Sequence, residues 1–248
     1  MSPSGANAAV YGVSVATVLL VRHGRSAANS SGVLAGRSTG VDLDEGGRAQ
    51  ATATGRRLAA LPLTRIVSSP LERCRQTAAA LLTELSGDLD MYVDDRLIEC
   101  GYGDWTGAEL KRLAKDPLWK VVQAHPSAAT FPAGESIRQM QLRAVDAIRD
   151  WDARVSAESG PEALWVAVSH GDVIKAVIAD ALGAHLDQFQ RIVVDPASVS
   201  VITYTPLRPF VLRLNDTGDL SGLAPKRRRG RRRKAVGSDA AVGGGAGS

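Results

Sequence analysis

The stretch VATVLLVRHG, residues 15–24, decides how the rest of the chain is read. Its first seven residues are a continuous apolar run broken only by Thr17, the pattern of a strand buried on both faces rather than one. The run stops at Arg22-His23-Gly24. The same grammar recurs further along. Residues 65–68 read as a short strand running into Ser69-Pro70, where Ser as N-cap and Pro as first helical residue would open a helix. That helix sets Leu71, Cys74, Ala78, Leu81 and Leu85 on one face. Residues 164–169 (LWVAVS) are another buried run, broken at His170-Gly171, and a helix over 172–182 follows, closed by Gly183. Residues 47–61 are Ala-rich and helical. Ser136 and Gln139 have capping-box spacing ahead of Ile137, Met140, Ala144, Ile148, Trp151 and Val155, which step by three and four. Residues 91–97 read as a further strand, and 198–205 with 210–214 as a hairpin. Pro117, Pro126 and Pro132 break any long helix in 104–133, so this part reads as an irregular cap insert. Strand alternating with helix predicts an α/β fold: one three-layer domain over 15–220, with a largely parallel sheet, helices on both faces and a small cap.

Composition narrows the class. The 248 residues are 44% hydrophobic, enough for one sizeable core, and two cysteines leave no disulfide framework. The longest apolar run, residues 13–21, is about half the ~20 residues a bilayer requires. No Lys or Arg precedes it, and Arg22-His23 follows where a signal peptide would carry a small-residue cleavage site. A cytoplasmic protein without a membrane span is therefore expected. The formal net charge of +4 is uneven along the chain. Residues 226–234 (KRRRGRRRK) hold eight basic residues, and without them residues 1–225 carry 22 Lys and Arg against 25 Asp and Glu. The fold itself is thus mildly acidic. Residues 1–14 read as a flexible extension, and 221–248 as a disordered basic, Gly-rich tail that cannot bury enough apolar surface to offset its ordering entropy. A solvated tail is the plain reading; attachment to nucleic acid or an anionic surface by counterion release is the other.

Three predicted strand ends converge at one sheet edge, where ligands of such folds bind and helix N-termini favour anions. They carry Arg22-His23-Gly24-Arg25-Ser26, Ser68-Ser69-Pro70 with Arg73 one turn on, and Ser169-His170-Gly171. A lone histidine after a strand is more often a packing residue. Two His-Gly pairs at strand-to-helix turns, with arginines whose planar fork suits phosphate oxygens, point to a phosphate site. A glycine after each would let the backbone approach a ligand closely.

Four segments, LVRHGRSAAN (20–29), SSPLERCRQTA (68–78), LIECGYGDWTG (97–107) and VSHGD (168–172), resemble in order and spacing the signature segments of the histidine phosphatase superfamily, the phosphoglycerate-mutase-like fold. The resemblance spans roughly residues 15–215. It implies that His23 is a nucleophile forming a phosphohistidine and that Glu99 is the proton donor. Arg22, Arg73 and His170 would form the phosphate pocket, and Ser26 and Asn29 would touch the phosphate or the nucleophile's loop. The chain departs from the commonest pattern at Arg25, where an acidic residue is frequent, and at Cys100-Gly101-Tyr102. Chemically, a neutral His23 attacking a dianionic ester needs cations that strengthen in the transition state, namely Arg22, Arg73 and a protonated His170. Glu99 would then protonate the leaving oxygen and activate the hydrolytic water.

No metal or cofactor is expected: Cys74 and Cys100 lack CxxC spacing, no HExxH occurs, and His125 and His185 read as surface residues. The expected activity is metal-independent hydrolysis of a small phosphate monoester. A phosphomutase is the alternative, disfavoured because residues 121–137, taken as cap, contain no Lys or Arg, with Lys111, Arg112, Lys115 and Lys120 before them the cations that would serve it. Two other classes remain open. Residues 167–171 imitate a serine-hydrolase elbow, for which His185 is the one histidine left downstream. A nucleic-acid-binding protein could act through 226–234.

Overall fold

The computed structural model describes residues 16–85, 89–218 and Gly243. Six strands form one sheet in the order β3-β2-β4-β1-β5-β6. They are β1 Thr17–Arg22, β2 Leu63–Ser68, β3 Met91–Val93, β4 Leu164–Ser169, β5 Val199–Tyr204 and β6 Pro209–Asp216. Strands β1 to β4 pair in parallel, and the β5–β6 hairpin closes the sheet antiparallel against β1. The register Arg22↔Ser169 and Ser68↔Val168 brings the carboxyl ends of β1, β2 and β4 level.

The two-faced burial expected of residues 15–21 follows from alternation. Val18 and Leu20 of β1 point into one core, and Leu19 and Val21 into the other. Trp165 and Ala167 of β4 join the first, Val166 and Val168 the second. Helices α2 (Glu45–Leu58) and α3 (Glu72–Glu84) cover the smaller core, with Leu58, Cys74, Ala78 and Leu81 inward. Helices α6 (Ile137–Ser159) and α7 (Gly171–Ala181) cover the larger. The capping box at Ser136 forms as predicted. Gly183 follows α7 at φ 64°, a conformation that favours glycine.

Two local readings are corrected. Residues 104–133 are not irregular throughout, because α4 (Leu110–Leu113) and α5 (Pro117–Ala124) lie within them. Pro117 starts α5 instead of breaking it: it occupies the first turn, where its missing N–H costs nothing, after the Asp116 cap. The insert is anchored on the larger core by its aromatic rings, Trp105 against Trp119 and Phe131. Ser69 does not cap α3, whose N-cap is Leu71 with no side-chain bond. Its hydroxyl is committed elsewhere.

The expectations for residues 1–14 and, apart from Gly243, for 221–248 lie outside the described residues. Among the described residues no helix is long and apolar enough to cross a membrane.

Candidate active site

His23 leaves β1 into a loop held by close backbone packing. A Cβ on Gly24 would lie 2.4 Å from the carbonyl oxygen of Gly47, so the glycine admits α2 rather than a ligand. The Gly24 N–H is bound by the Thr77 hydroxyl of α3. In this loop His23 Nδ1 donates to Gly24 O at 2.7 Å. Its Nε2 accepts from Arg73 Nε at 3.3 Å. Together these bonds assign the neutral tautomer, with the proton on Nδ1 and the lone pair on Nε2. Burial first, then the charges of Arg73 and Arg22, hold His23 well below the ordinary histidine range. That favours the uncharged ring.

Arg73, one turn into α3, joins the constellation. It donates from Nη2 to Gly36 O at 2.7 Å and to His170 Nδ1 at 3.2 Å. Its Nη1 is buried and has no hydrogen-bond partner among the described residues. An anion placed there would satisfy it, which removes the usual penalty for a buried orphan donor. Arg22 is fully buried and donates to Val194 O at 2.8 Å. Desolvation lowers its pKa to about 10, so it stays cationic at neutral pH.

His170 precedes α7, its ring 5.3 Å from that of His23. Because Nδ1 accepts from Arg73, Nε2 carries the proton and donates to Ser69 Oγ at 2.8 Å. Burial, then Arg73 and the other neighbouring charges, push its pKa well below 6.5. Without an anion the ring is held toward its neutral form, since a third cation beside two guanidiniums would be unscreened; the protonated His170 expected from sequence concerns the site with a phosphate in place.

Glu99 lies between two single 3-10 turns, Asp95–Leu97 and Gly103–Trp105. Its Oε1 accepts from the Cys100 N–H at 2.8 Å, and Oε2 is 3.9 Å from His170 Nδ1. Burial, then the charge of Asp172, raise its pKa to about 7 against the pull of Arg73 and Arg22. The backbone beneath it is clamped. Arg143 of α6 donates to Ile98 O and Glu99 O at 2.7 and 3.1 Å. Arg37 donates to Glu99 O at 2.9 Å, and Glu135 accepts from both guanidiniums and from Gly101 N. Sequence reading missed this clamp, whose partners lie far apart in the chain.

Raising a carboxyl pKa weakens the fold. Glu99 favours the folded state fully below its unfolded value of 4.5, and that contribution is lost as pH rises through about 7. Glu99→Gln is therefore expected to stabilise the protein by up to about 3 kcal/mol at pH 8. Thermal melts across pH check this: the variant's gain in Tm should shrink toward zero at pH 4, and a gain equal at both pH values would contradict the buried-carboxyl assignment.

Ser26 and Asn29 sit at the start of α1 (Ala27–Ser31), locked by a reciprocal capping box with Ser26 Oγ donating to Asn29 Oδ1 at 2.9 Å. They line one cavity with His23, Arg73, Glu99 and Tyr102. Tyr102 donates to Asp172 Oδ2 at 2.8 Å. Gly243 also lines the cavity, its N–H on Asp172 Oδ2 at 3.0 Å and its carbonyl 3.4 Å from Arg22 Nη2. Nothing in the Gly-rich tail sequence singles this residue out. The cavity wall comes from residues 28–36 and Leu110; no residue of 121–137 lines it. Arg25 is turned away and paired with Asp44 at 2.7 Å.

The remaining candidates separate from the site. Ser169 Oγ donates to Leu97 O at 2.8 Å, and His185 is an exposed partner of Asp187, so no serine triad forms. His125 is also exposed. Cys74 and Cys100 are buried and free, and burial pushes both thiols up, Cys74 to about 12. Among the described residues no three His, Cys, Asp or Glu side chains are grouped to hold a metal.

Comparison with known proteins gives a consistent picture. A model of the histidine phosphatase superfamily (branch 1) matches residues 18–217. Fructose-2,6-bisphosphatase TIGAR of Xenopus tropicalis is 39% identical over 132 residues, covering 51% of this chain and 46% of the frog protein. The match thus spans about half the length of that relative. Phosphoserine phosphatase 1 of Hydrogenobacter thermophilus is 30% identical over 211 residues, 81% of this chain and 92% of that one. Among solved structures, YhfR of Bacillus stearothermophilus superposes with a TM-score of 0.73 at 27% identity, covering 81% of this chain and 97% of its own.

Proposed function

The chain belongs to the histidine phosphatase superfamily, and from that premise we propose that it is a metal-independent phosphomonoesterase working through a phosphohistidine. The observation that carries this is the His23 ring at the cavity, with Nδ1–H tied to Gly24 O and the proton-free Nε2 held by Arg73 Nε–H. The relatives' names describe hydrolytic enzymes, which favours water over a second alcohol as final acceptor.

In the first half-reaction the Nε2 lone pair of His23 attacks phosphorus as the ester P–O bond breaks, and the leaving oxygen takes the Glu99 proton. Charge on the transferring group grows toward Arg22, Arg73 and its orphan Nη1 donor, and toward His170, which takes up a proton when the dianion arrives. In the second half-reaction the Glu99 carboxylate removes a proton from water, the water oxygen attacks phosphorus, and the Nε2–P bond breaks. Inorganic phosphate leaves with Glu99 reprotonated. Ser26 and Asn29 shape the loop beside the nucleophile. The two guanidiniums supply the electrostatic stabilisation a metal ion would otherwise give. The buried, unpaired thiols of Cys74 and Cys100 fit the reducing cytoplasm, the setting we favour.

The test is hydrolysis by the full chain of an aryl and an alkyl phosphate with and without EDTA. Phosphate release unchanged by EDTA is expected; a requirement for Mg²⁺ would refute the scheme. Glu99→Gln should slow the alkyl ester by about 10²-fold or more and the aryl ester far less, since a phenolate leaves without a proton. For the alkyl ester, wild-type kcat/KM should fall as pH rises through about 7, where Glu99 loses its proton. Equal losses on both esters would remove Glu99 from the acid role.

A further inference from the structure

The charge pattern of the cavity defines a substrate class; this inference rests on the phosphatase reading above. Among the described lining residues Arg73 is the one cation, and Arg22 lies buried behind it. A dianionic phosphoryl group balances those two guanidiniums, which leaves no further cation among the described lining residues for a second anion. The part of the cavity that would face the alcohol is apolar, built from Val33, Leu34 and Leu110. This wall is pinned by backbone bonds, Leu110 N–H to Gly32 O at 2.9 Å, Leu34 N–H to Ala108 O at 3.0 Å and Gly107 N–H to Leu34 O at 2.8 Å. It is therefore not free to swing a distant cation inward.

Of the cations nearest the wall in sequence, Lys111 and Arg112 are exposed and do not line the cavity, and two others are already engaged. Arg25 pairs with Asp44, and Arg37 holds Glu99 O and Glu135. A carboxylate or second phosphate lodged against Val33, Leu34 and Leu110 would lose its hydration without gaining a partner, a penalty of the kind that excludes charged groups from apolar surroundings.

We propose that this site hydrolyses phosphate monoesters of uncharged alcohols and discriminates against substrates bearing a second phosphate or a carboxylate, with Val33, Leu34 and Leu110 setting the discrimination. A phosphomutase handling phosphoglycerates needs the opposite wall.

The full chain should be assayed on glycerol 3-phosphate and 3-phosphoglycerate, which share a three-carbon skeleton and differ by a hydroxymethyl against a carboxylate, with p-nitrophenyl phosphate as reference. The expected result is a kcat/KM at least about tenfold higher for glycerol 3-phosphate, which corresponds to ~1.4 kcal/mol. Leu110→Arg, placing a cation on the half-buried wall, should narrow that ratio at least about fivefold by raising kcat/KM for 3-phosphoglycerate. The wild-type comparison stands even if the variant folds poorly. Equal or better use of 3-phosphoglycerate by the wild type, with the aryl ester turned over normally, overturns the substrate class and leaves the phosphatase reading intact. Failure to hydrolyse any of the three overturns both.

Discussion

His23→Ala is expected to lower phosphate release from every ester, aryl or alkyl, by about 10⁴-fold or more, because it removes the atom to which phosphorus is transferred. The loss should fall on kcat. Arg22, Arg73 and His170 remain, so substrate affinity should persist, measurable as protection against thermal unfolding by inorganic phosphate or vanadate. His23→Asn would keep a donor near Gly24 O yet supply no nucleophile, and should be equally inactive. A residual rate within tenfold of wild type in either variant would mean that some other group or water attacks phosphorus directly.

The second large effect is expected at Arg73. Its guanidinium touches the Nε2 of His23, the Nδ1 of His170 and Gly36 O, and its Nη1 has no partner among the described residues. Arg73→Met should cost about 10³-fold or more in kcat/KM, in the range of removing a transition-state arginine. Arg73→Lys restores the charge without the planar fork, and should still lose about 10²-fold. A spectroscopic signature goes with this. Arg73 is the largest charge holding both histidines in the neutral form, after burial itself. Its removal should move both imidazole titrations upward, so NMR of Arg73→Met should show His23 protonating at higher pH than in wild type. The residual activity would then be lost from the acid side as pH falls through that raised value. Histidine titrations unmoved by the substitution would contradict the electrostatic role.

These effects bear on how much of the molecule could be read from sequence. The sheet was legible because residues 15–21 and Leu164–Ser169 are apolar without alternation, and burial in two cores is the physical meaning of that pattern. The convergence of His23, Arg73, His170 and Glu99 was legible because three of the four sit at or just beyond parallel strand ends that the register brings level. Ser69 was misread because a hydroxyl at a strand-to-helix turn suits a cap or an imidazole equally well, and local sequence carries no trace of an imidazole 101 positions away. The pull of His170 toward its neutral form without an anion was hidden for a related reason, since it depends on complete burial beside guanidiniums from two other elements. Arg37, Glu135 and Arg143 carry no motif at all; their role exists only where separate stretches meet over the carbonyl of Glu99. The cavity wall was sought in the wrong part of the insert, because lack of charge in 121–137 is also what packing on an aromatic core requires, and α5 meets that need.

The scheme turns on a covalent bond between phosphorus and one ring nitrogen. The direct measurement is rapid-quench of the full chain with a radiolabelled aryl phosphate, followed by peptide mapping. The predicted result is an acid-labile, base-stable adduct on His23 that forms and decays no more slowly than kcat and is missing from His23→Ala. Steady turnover with no adduct at any quench time, and an inversion of configuration at phosphorus that marks a single displacement, would contradict it.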